Sequence, residues 1–158
     1  MIDTITYRPI GIIHSPFKET VGMPIQAAAA TGVAGSIALE PAYAEGLKDI
    51  EGFSHLILLY HLHLVREFKL TVHPYLDDRP HGIFATRAPR RPNPIGLSIV
   101  RLVGVNGAQL EIQDVDVVDG TPLLDIKPWV PEFDVREGAR IGWIAGKIAA
   151  MRDVRSTG

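Results

Sequence analysis

Arginine and proline residues are concentrated in one stretch whose residue types suit the binding of an anion. Residues 82–98, GIFATRAPRRPNPIGLS, contain three arginines (Arg87, Arg90 and Arg91) and three prolines. Each proline fixes its own φ and pushes the preceding residue towards extended geometry, so the loop has little freedom to lose on binding. Guanidinium groups offer paired donors to a carboxylate or a phosphate, and Asn93 can recognise an adenine edge or cap a turn. The stretch predicts either a preshaped binding loop or a stiff turn with solvated charges, and by itself it leaves both open.

A second polar group follows in residues 119–134, DGTPLLDIKPWVPEFD. Asp125 and Lys127 are two residues apart on a predicted strand, so both side chains lie on the same side of it. They can form an ordinary ion pair, which the spacing alone favours. Alternatively, Asp125 accepts hydrogen bonds from a ligand while Lys127 acts as an acid, a base or an orienting group.

Two histidines and a glutamate partly match the metal-binding pattern of cupin barrels. His61 and His63 are placed to share one face of a strand, and Glu67 follows them. His55 occupies the place of the glycine that the cupin pattern has upstream. Because a zinc or iron site needs at least three protein ligands, we expect no metal and interpret the histidines as pocket or core residues. A cupin-like metalloenzyme is the alternative that this pattern leaves open.

Length and composition predict one globular domain, residues 1–158, with 46% hydrophobic and 22% charged residues. The net charge of -2 provides no chain-wide basic field, so nucleic-acid binding would need a local patch. The absence of cysteine excludes disulfides and thiolate chemistry. Rossmann, P-loop and nucleophile-elbow motifs do not occur. Because no apolar run is long enough to cross a membrane and the N-terminus lacks a signal-peptide pattern, we expect a soluble, cytoplasmic protein.

The elements that must position these residues are mostly short strands. Turn signals and apolar patterns predict strands at 5–15, 35–40, 53–64, 82–86, 97–105, 109–117 and 123–127. The segment 53–64 is nearly all apolar, which is typical of a strand buried on both faces. Asn106-Gly107 predicts a hairpin, and short helices are expected at 41–50 and 141–152. This pattern predicts a mainly β, single-domain antiparallel sheet that closes into a barrel-like fold with short helices.

Five blocks in this order resemble the TrmO/TsaA-like family over residues 7–134: GIIHSPF, MPIQ, GFSHLILLYHLH, GIFATRAPRRPNPIGLSIVRLVGV and DGTPLLDIKPWVPEFD. The resemblance implies a β-barrel-like fold unlike that of Rossmann-type methyltransferases, acting as a homodimer with its cofactor near the subunit interface. It also implies an S-adenosylmethionine-dependent methyltransferase acting on tRNA. The methyl group would go to the N6 nitrogen of threonylcarbamoyladenosine next to the anticodon.

The resemblance also implies roles for particular residues. The cofactor pocket falls on His63, Phe84, Thr86, Arg87, Asn93, Pro94, Ile95, Gly96, Leu123, Asp125 and Lys127. The substrate contacts fall on Gln26, Arg87, Arg90 and Arg91. Methyl transfer needs in-line positioning and removal of a proton from the nitrogen. Lys127 and His63 are the candidates for that proton, and the sequence does not choose between them.

Three departures from the family pattern bear on the substrate. Ala88 stands where many members have serine, and Ile25 stands where many have arginine. The chain also ends soon after the last block, without the C-terminal extension of longer bacterial members. These departures leave open a second reading, in which the protein binds S-adenosylmethionine without methylating tRNA or methylates a small molecule.

Overall fold

Six strands close into an antiparallel barrel. The computed structural model describes residues 3–21, 23, 27–75 and 77–150. The strands of this part are β1 (Gly11–His14), β2 (Ala34–Leu39), β3 (His55–His61), β4 (Thr71–Val72), β5 (His81–Gly82), β6 (Ile95–Asn106), β7 (Gln109–Gln113) and β8 (Thr121–Pro128). The barrel order is β1-β2-β7-β6-β3-β8, with β8 pairing back onto β1, while β4 and β5 form a separate sheet. The predicted mainly β, antiparallel barrel-like fold is confirmed.

The core lies inside the barrel, where alternate residues of each strand point. On β3, Leu56 and Leu58 are fully buried and Tyr60 nearly so, whereas Ile57 and Leu59 between them are partly exposed. The prediction that this segment is buried on both faces is therefore wrong. A closed barrel buries only the inward face of a strand, and the apolar residues on the outward face of β3 lie at its surface.

The helices of the described residues are all short. They are the 3₁₀ segments Ala27–Ala30, Pro41–Leu47, Ile50–Gly52, Ile83–Ala85, Gly142–Ile144 and Ile148–Ala150, and the α-helix α1 (Pro131–Asp134). The longest has seven residues, so none of these helices could span a membrane.

Three predicted elements differ from the observed ones. The strand expected at 82–86 ends at Gly82, after which the chain turns through the 3₁₀ segment Ile83–Ala85, in which the Ile83 side chain is buried. The helix expected at 141–152 is broken by Gly142 and Gly146, whose φ values of +58° and +80° are left-handed; residues 151–158 lie outside the described part. The helix at 41–50 is a 3₁₀ segment, and the strand at 5–15 is shorter, Gly11–His14.

The predicted hairpin at Asn106-Gly107 is confirmed. β6 and β7 pair from Asn106 with Gln109, which leaves Gly107 and Ala108 as a two-residue loop. Gly107 has φ +62°, as the first central residue of a type II′ turn requires. This tight turn sets the register of β6. The segment just before β6, residues 83–94, holds the three arginines and three prolines, and we call it the arginine–proline loop.

Candidate functional site

The end of β3 lies between the two segments that carry most of the predicted site residues. Tyr60 and His61 of β3 pair with Gly96 and Ile95 of β6 on one side, and Tyr60 pairs with Leu123 of β8 on the other. The arginine–proline loop ends at the first of these neighbours, and the Asp-Gly-Thr-Pro turn leads into the second. The barrel therefore brings together segments that are far apart in the chain.

Gly96 is needed for packing at this junction. A Cβ atom added to Gly96 would lie 2.6 Å from Cζ of the Tyr60 ring, well inside van der Waals contact. Tyr60 is nearly buried and cannot move aside without disturbing the core. The glycine of the RPNPIG block is therefore explained by the ring beside it, and its role in cofactor binding stays a prediction.

Arg91 holds the loop in its observed shape. Its Nη1 donates to the carbonyl oxygens of Thr86 (2.8 Å) and Ala88 (3.1 Å), and its guanidinium carbon lies 6.0 Å from the centroid of the exposed Phe84 ring. The Thr86 hydroxyl donates to the Ile83 carbonyl at 2.9 Å and accepts from the Ala88 N–H at 3.2 Å. These main-chain partners occupy Arg91 Nη1 and the Thr86 hydroxyl, so both residues stabilise the loop. The proposed ligand contacts of Phe84, Thr86 and Arg91 stay predictions.

Arg87, Arg90 and Asn93 are exposed on the same loop. The loop is anchored to the chain that follows β3 by a hydrogen bond from the Leu62 N–H to the Pro94 carbonyl, 2.7 Å long. A second main-chain bond joins the Lys69 N–H to the Arg90 carbonyl at 3.2 Å. The loop is thus fixed at both the Arg90 and Pro94 positions.

A cavity of about 310 Å³ opens beside this loop. Its charged and titratable lining consists of Tyr60, His63, Arg66, Glu67, Arg90 and Asp116. The volume is at the small end of the range for sites that hold small molecules. Because guanidinium and carboxylate groups line the same cavity, it suits a polar ligand that carries both positive and negative charge.

Three side chains joined by hydrogen bonds lie at this cavity, with Tyr60 and Asp116 in its lining and the buried Ser98 between them. The Ser98 hydroxyl donates to Asp116 Oδ1 at 2.5 Å, and the Tyr60 hydroxyl lies 2.7 Å from Ser98 Oγ. Burial raises the pKa of Asp116 to about 6, although the hydrogen bond from Ser98 opposes the shift. Burial also raises the pKa of Tyr60, and the nearby charge of Asp116 adds to that effect.

Neither Asp116 nor Ser98 was predicted as a site residue. Ser98 occupies an inward position of β6, two residues from the fully buried Val100, and the inward residues of β3 are apolar up to Tyr60. Buried hydroxyl groups need hydrogen-bond partners. The polar side chains of Tyr60 and Ser98, at inward positions of neighbouring strands, were therefore the signal that could have revealed these hydrogen bonds.

Asp125 and Lys127 lie on the outside of β8. Lys127 Nζ and Asp125 Oδ2 are 2.9 Å apart, and both side chains are about half exposed, at 58% and 47%. The ion pair that the spacing favoured is therefore present. The hydrogen bond from Lys127 to Asp125 raises the pKa of Lys127, which keeps it as an ammonium with no lone pair to accept a proton. Neither side chain lines the cavity that contains His63.

His63 lies in the turn after β3, since the strand ends at His61. The prediction that His61 and His63 share a strand face is therefore wrong. His63 is half-buried and lines the cavity, and its pKa is lowered by burial and, to a smaller extent, by the charge of His61. Within the described ranges, no three His, Asp or Glu side chains are grouped so that they could hold a metal ion.

Leu123, a further predicted residue, does not line the cavity either. The Leu123 side chain is fully buried in the barrel core, and its carbonyl accepts a hydrogen bond from the Ile10 N–H at 2.8 Å. A direct cofactor contact through this side chain is not favoured by that position. Gln26 lies outside the described residues.

The turn before β8 is held by Asp119. Its Oδ2 accepts from Lys18 Nζ at 2.8 Å, and its Oδ1 accepts from the Ser15 N–H at 3.1 Å and lies 3.0 Å from His14 Nδ1. The hydrogen bond from Lys18 is the largest cause that lowers the pKa of Asp119, to about 2. The first aspartate of the DGTP block therefore acts as a structural anchor, which ties this turn to the residues after β1.

The fold and the site define a β-barrel protein with a polar cavity next to a basic, proline-stiffened loop. A family model described as the tRNA-methyltransferase O N-terminal domain matches residues 12–135. The chain belongs to this family, and the resemblance found in its sequence blocks is confirmed.

Individual relatives agree with this assignment. The chain is 58% identical over 154 residues to a protein of Pyrococcus abyssi named "Probable S-adenosyl-L-methionine-binding protein", which covers 98% of this chain and 84% of the relative. It is 36% identical over 140 residues to the Escherichia coli tRNA (adenine(37)-N6)-methyltransferase, covering 82% of this chain and 60% of that protein.

A solved structure is also similar. The crystal structure of TrmO from Pseudomonas aeruginosa has a TM-score of 0.75 and 39% sequence identity, covering 89% of this chain and 62% of that one. The chain therefore spans less than two thirds of the length of this structure and of the Escherichia coli relative.

Proposed function

We propose that this protein is an S-adenosylmethionine-dependent tRNA methyltransferase. Its substrate is the N6 nitrogen of the adenosine next to the anticodon, in its threonylcarbamoyl form, and we expect it to act in the cytoplasm. The observation that supports this most strongly is membership of the family, combined with the meeting of the RPNPIG and DGTP blocks around the end of β3. One relative is named as a tRNA methyltransferase and another as an S-adenosylmethionine-binding protein, and these names support tRNA and S-adenosylmethionine as the two substrates.

The cavity suits one part of S-adenosylmethionine and one part of the modified tRNA. Its Glu67 carboxylate suits a sulfonium or an ammonium group, and Arg66 and Arg90 suit a carboxylate or a phosphate. When bound, S-adenosylmethionine supplies an electrophilic methyl group. The residues of this chain then have to hold the acceptor nitrogen in line and to remove its proton.

Arg87 and Arg90 are the arginines best placed to contact an anionic substrate. Both side chains are exposed on the loop, whereas Arg91 is only partly exposed and donates from its Nη1 to two main-chain carbonyls. The threonyl carboxylate and the tRNA phosphates are the anions that this reaction offers. Arg91 contributes indirectly, because it keeps the loop in one conformation.

We also propose that the protein acts as a symmetric dimer. The outward face of β6 carries Ile95, Leu97 and Ile99, which are 45%, 45% and 37% exposed, beside Ile57 and Leu59 of β3. A contiguous apolar patch on a barrel surface is typical of a protein interface. Light scattering at micromolar concentration should give the mass of a dimer, and a monomeric mass would refute this part of the proposal.

The second candidate function is cofactor binding without tRNA methylation, which the name of the Pyrococcus abyssi relative favours. Two measurements distinguish it from the first. Calorimetry should detect S-adenosylmethionine binding under either hypothesis. Transfer of a labelled methyl group to tRNA carrying threonylcarbamoyladenosine, with unmodified tRNA as the control, should occur only under the first.

A further inference from the structure

Asp116 is the carboxylate of the cavity that a buried side chain orients. Its Oδ1 accepts a hydrogen bond from Ser98, and Ser98 is only 2% exposed. We propose that Asp116 is the catalytic residue that accepts the proton from the N6 nitrogen, with Ser98 and Tyr60 as the residues that position it. This inference rests on the proposed methyltransferase function and deepens it.

The direction of the hydrogen bonds follows from their donors. Ser98 has one hydroxyl proton, and it is given to Asp116 Oδ1. The Tyr60 hydroxyl, 2.7 Å from Ser98 Oγ, must therefore be the donor of the second bond. Tyr60, Ser98 and Asp116 form a one-way chain of hydrogen bonds that orients the Asp116 carboxylate, and Asp116 lines the cavity. A proton acceptor oriented by a second and a third side chain is a recurring arrangement in catalytic sites.

Two of the three hydrogen-bonded side chains belong to neighbouring strands of the barrel. Tyr60 belongs to β3 and Ser98 to β6, two strands that pair directly, and Tyr60 is 6% exposed. Gly96, in the RPNPIG block, makes room for the Tyr60 ring. The loop that carries the substrate-binding arginines and the chain that orients Asp116 therefore share one junction.

The other titratable groups that face the cavity are less suited to accept this proton. Glu67 is exposed to solvent, and His63 has no hydrogen-bond partner within the described residues that would orient its ring. The guanidinium groups of Arg66 and Arg90 only donate hydrogen bonds, and burial raises the pKa of Tyr60, so its hydroxyl keeps its proton. Lys127 is outside the cavity and is held as an ammonium by Asp125.

The raised pKa of Asp116 agrees with the role that its position assigns to it. Burial raises its pKa to about 6, so it is ionised at neutral pH yet more basic than an exposed aspartate. A base is most effective when its pKa lies near the working pH.

The proposed step balances as follows. The N6 lone pair forms a bond to the methyl carbon, the carbon–sulfur bond breaks, and its electron pair stays on the sulfur as the neutral thioether. The N6 proton passes to the Asp116 carboxylate, which becomes a neutral carboxylic acid. Release of that proton to water restores the carboxylate.

The test compares wild type with Asp116→Asn, which retains an acceptor for Ser98 but cannot take up a proton. With tRNA carrying threonylcarbamoyladenosine, kcat should fall at least about 100-fold, while the Kd for S-adenosylmethionine measured by calorimetry should change less than about threefold. The kcat of wild type should rise with pH through about 6 and then level off, because the carboxylate is the active form. Any residual activity of Asp116→Asn should lack this rise.

Tyr60→Phe tests the positioning role through a readout that a purely structural residue would not move. Loss of the Tyr60 donor weakens the bond from Ser98 to Asp116, so the pKa seen in the kcat profile should move to higher pH. If Asp116→Asn does not fold, judged by its circular dichroism, this shift decides the question.

Three results would overturn the inference: a kcat for folded Asp116→Asn within about threefold of wild type, a loss confined to cofactor Kd, or an unchanged pH profile in Tyr60→Phe. Absence of methylation by wild type would instead refute the proposed function itself.

Discussion

Replacing Asp116 with asparagine is expected to stabilise the folded protein at alkaline pH. Burial raises the pKa of Asp116 from its ordinary 3.8 to about 6. A carboxyl group whose pKa is higher in the folded than in the unfolded state lowers stability once it ionises. This loss begins as the pH rises above about 4 and is complete above about 6. The asparagine side chain of Asp116→Asn is uncharged at any pH, so the variant avoids this loss of stability.

The size of the effect follows from the shift. The rise in the pKa of Asp116 from 3.8 to about 6 corresponds to a loss of about 3 kcal/mol in the free energy of unfolding once the group is ionised. Because Asp116 lines a cavity and the asparagine amide needs hydrogen bonds of its own, we expect a gain of about 1–3 kcal/mol at about pH 8 and none at about pH 4. For a chain of 158 residues this gain raises Tm by roughly 3–9 °C.

Thermal unfolding of wild type and Asp116→Asn at both pH values measures this difference directly. Asp3→Asn, which changes an exposed carboxylate, is the control for the substitution itself. The reasoning is wrong if the stability difference is the same at both pH values, or if Asp116→Asn is the less stable protein at about pH 8.

Other substitutions test the junction and the loop. Gly96→Ala should cost about 1–3 kcal/mol in urea unfolding, because its Cβ would overlap the Tyr60 ring; unchanged stability would contradict that packing. Arg91→Met should lower the free energy of unfolding in urea by about 1 kcal/mol, since methionine cannot donate the hydrogen bonds that Nη1 gives to two carbonyls; an unchanged value would show that these bonds contribute nothing. Arg90→Ala should leave Tm nearly unchanged but raise the KM for tRNA about tenfold or more, and an unaltered KM would exclude it as a substrate contact. Trp143→Phe should cost about 1 kcal/mol through loss of its 2.7 Å hydrogen bond to a carbonyl of the turn before the loop; an equal Tm would show that this bond contributes nothing.

Local patterns predicted those parts of the fold that depend on neighbouring residues. The Asn106-Gly107 hairpin was predicted because the turn requires a positive φ, which Gly107 adopts. The ion pair of Asp125 and Lys127 was predicted from the two-residue period of a strand. The apolar run of β3 identified a strand but not its exposed outer face, since the side of a strand that is covered depends on how the barrel closes.

The candidate site depended on contacts that no local pattern contains. Ser98 and Asp116 are 18 residues apart, and Tyr60 and Ser98 are 38 apart. Tyr60 and Ser98 meet only because β3 and β6 pair in one particular register, and Asp116 reaches Ser98 from the segment between β7 and β8. The motif around Arg91 indicated a rigid basic loop, but not that Arg91 itself would supply part of the rigidity.

Mass spectrometry of nucleosides is the most direct test of the central claim. Wild-type protein would be incubated with S-adenosylmethionine and tRNA carrying threonylcarbamoyladenosine, and the tRNA would then be digested to nucleosides. We predict that the threonylcarbamoyladenosine peak is replaced by a species with one additional methyl group, only when S-adenosylmethionine is present. A threonylcarbamoyladenosine peak that remains unchanged, with protein shown by calorimetry to bind S-adenosylmethionine, would contradict the account.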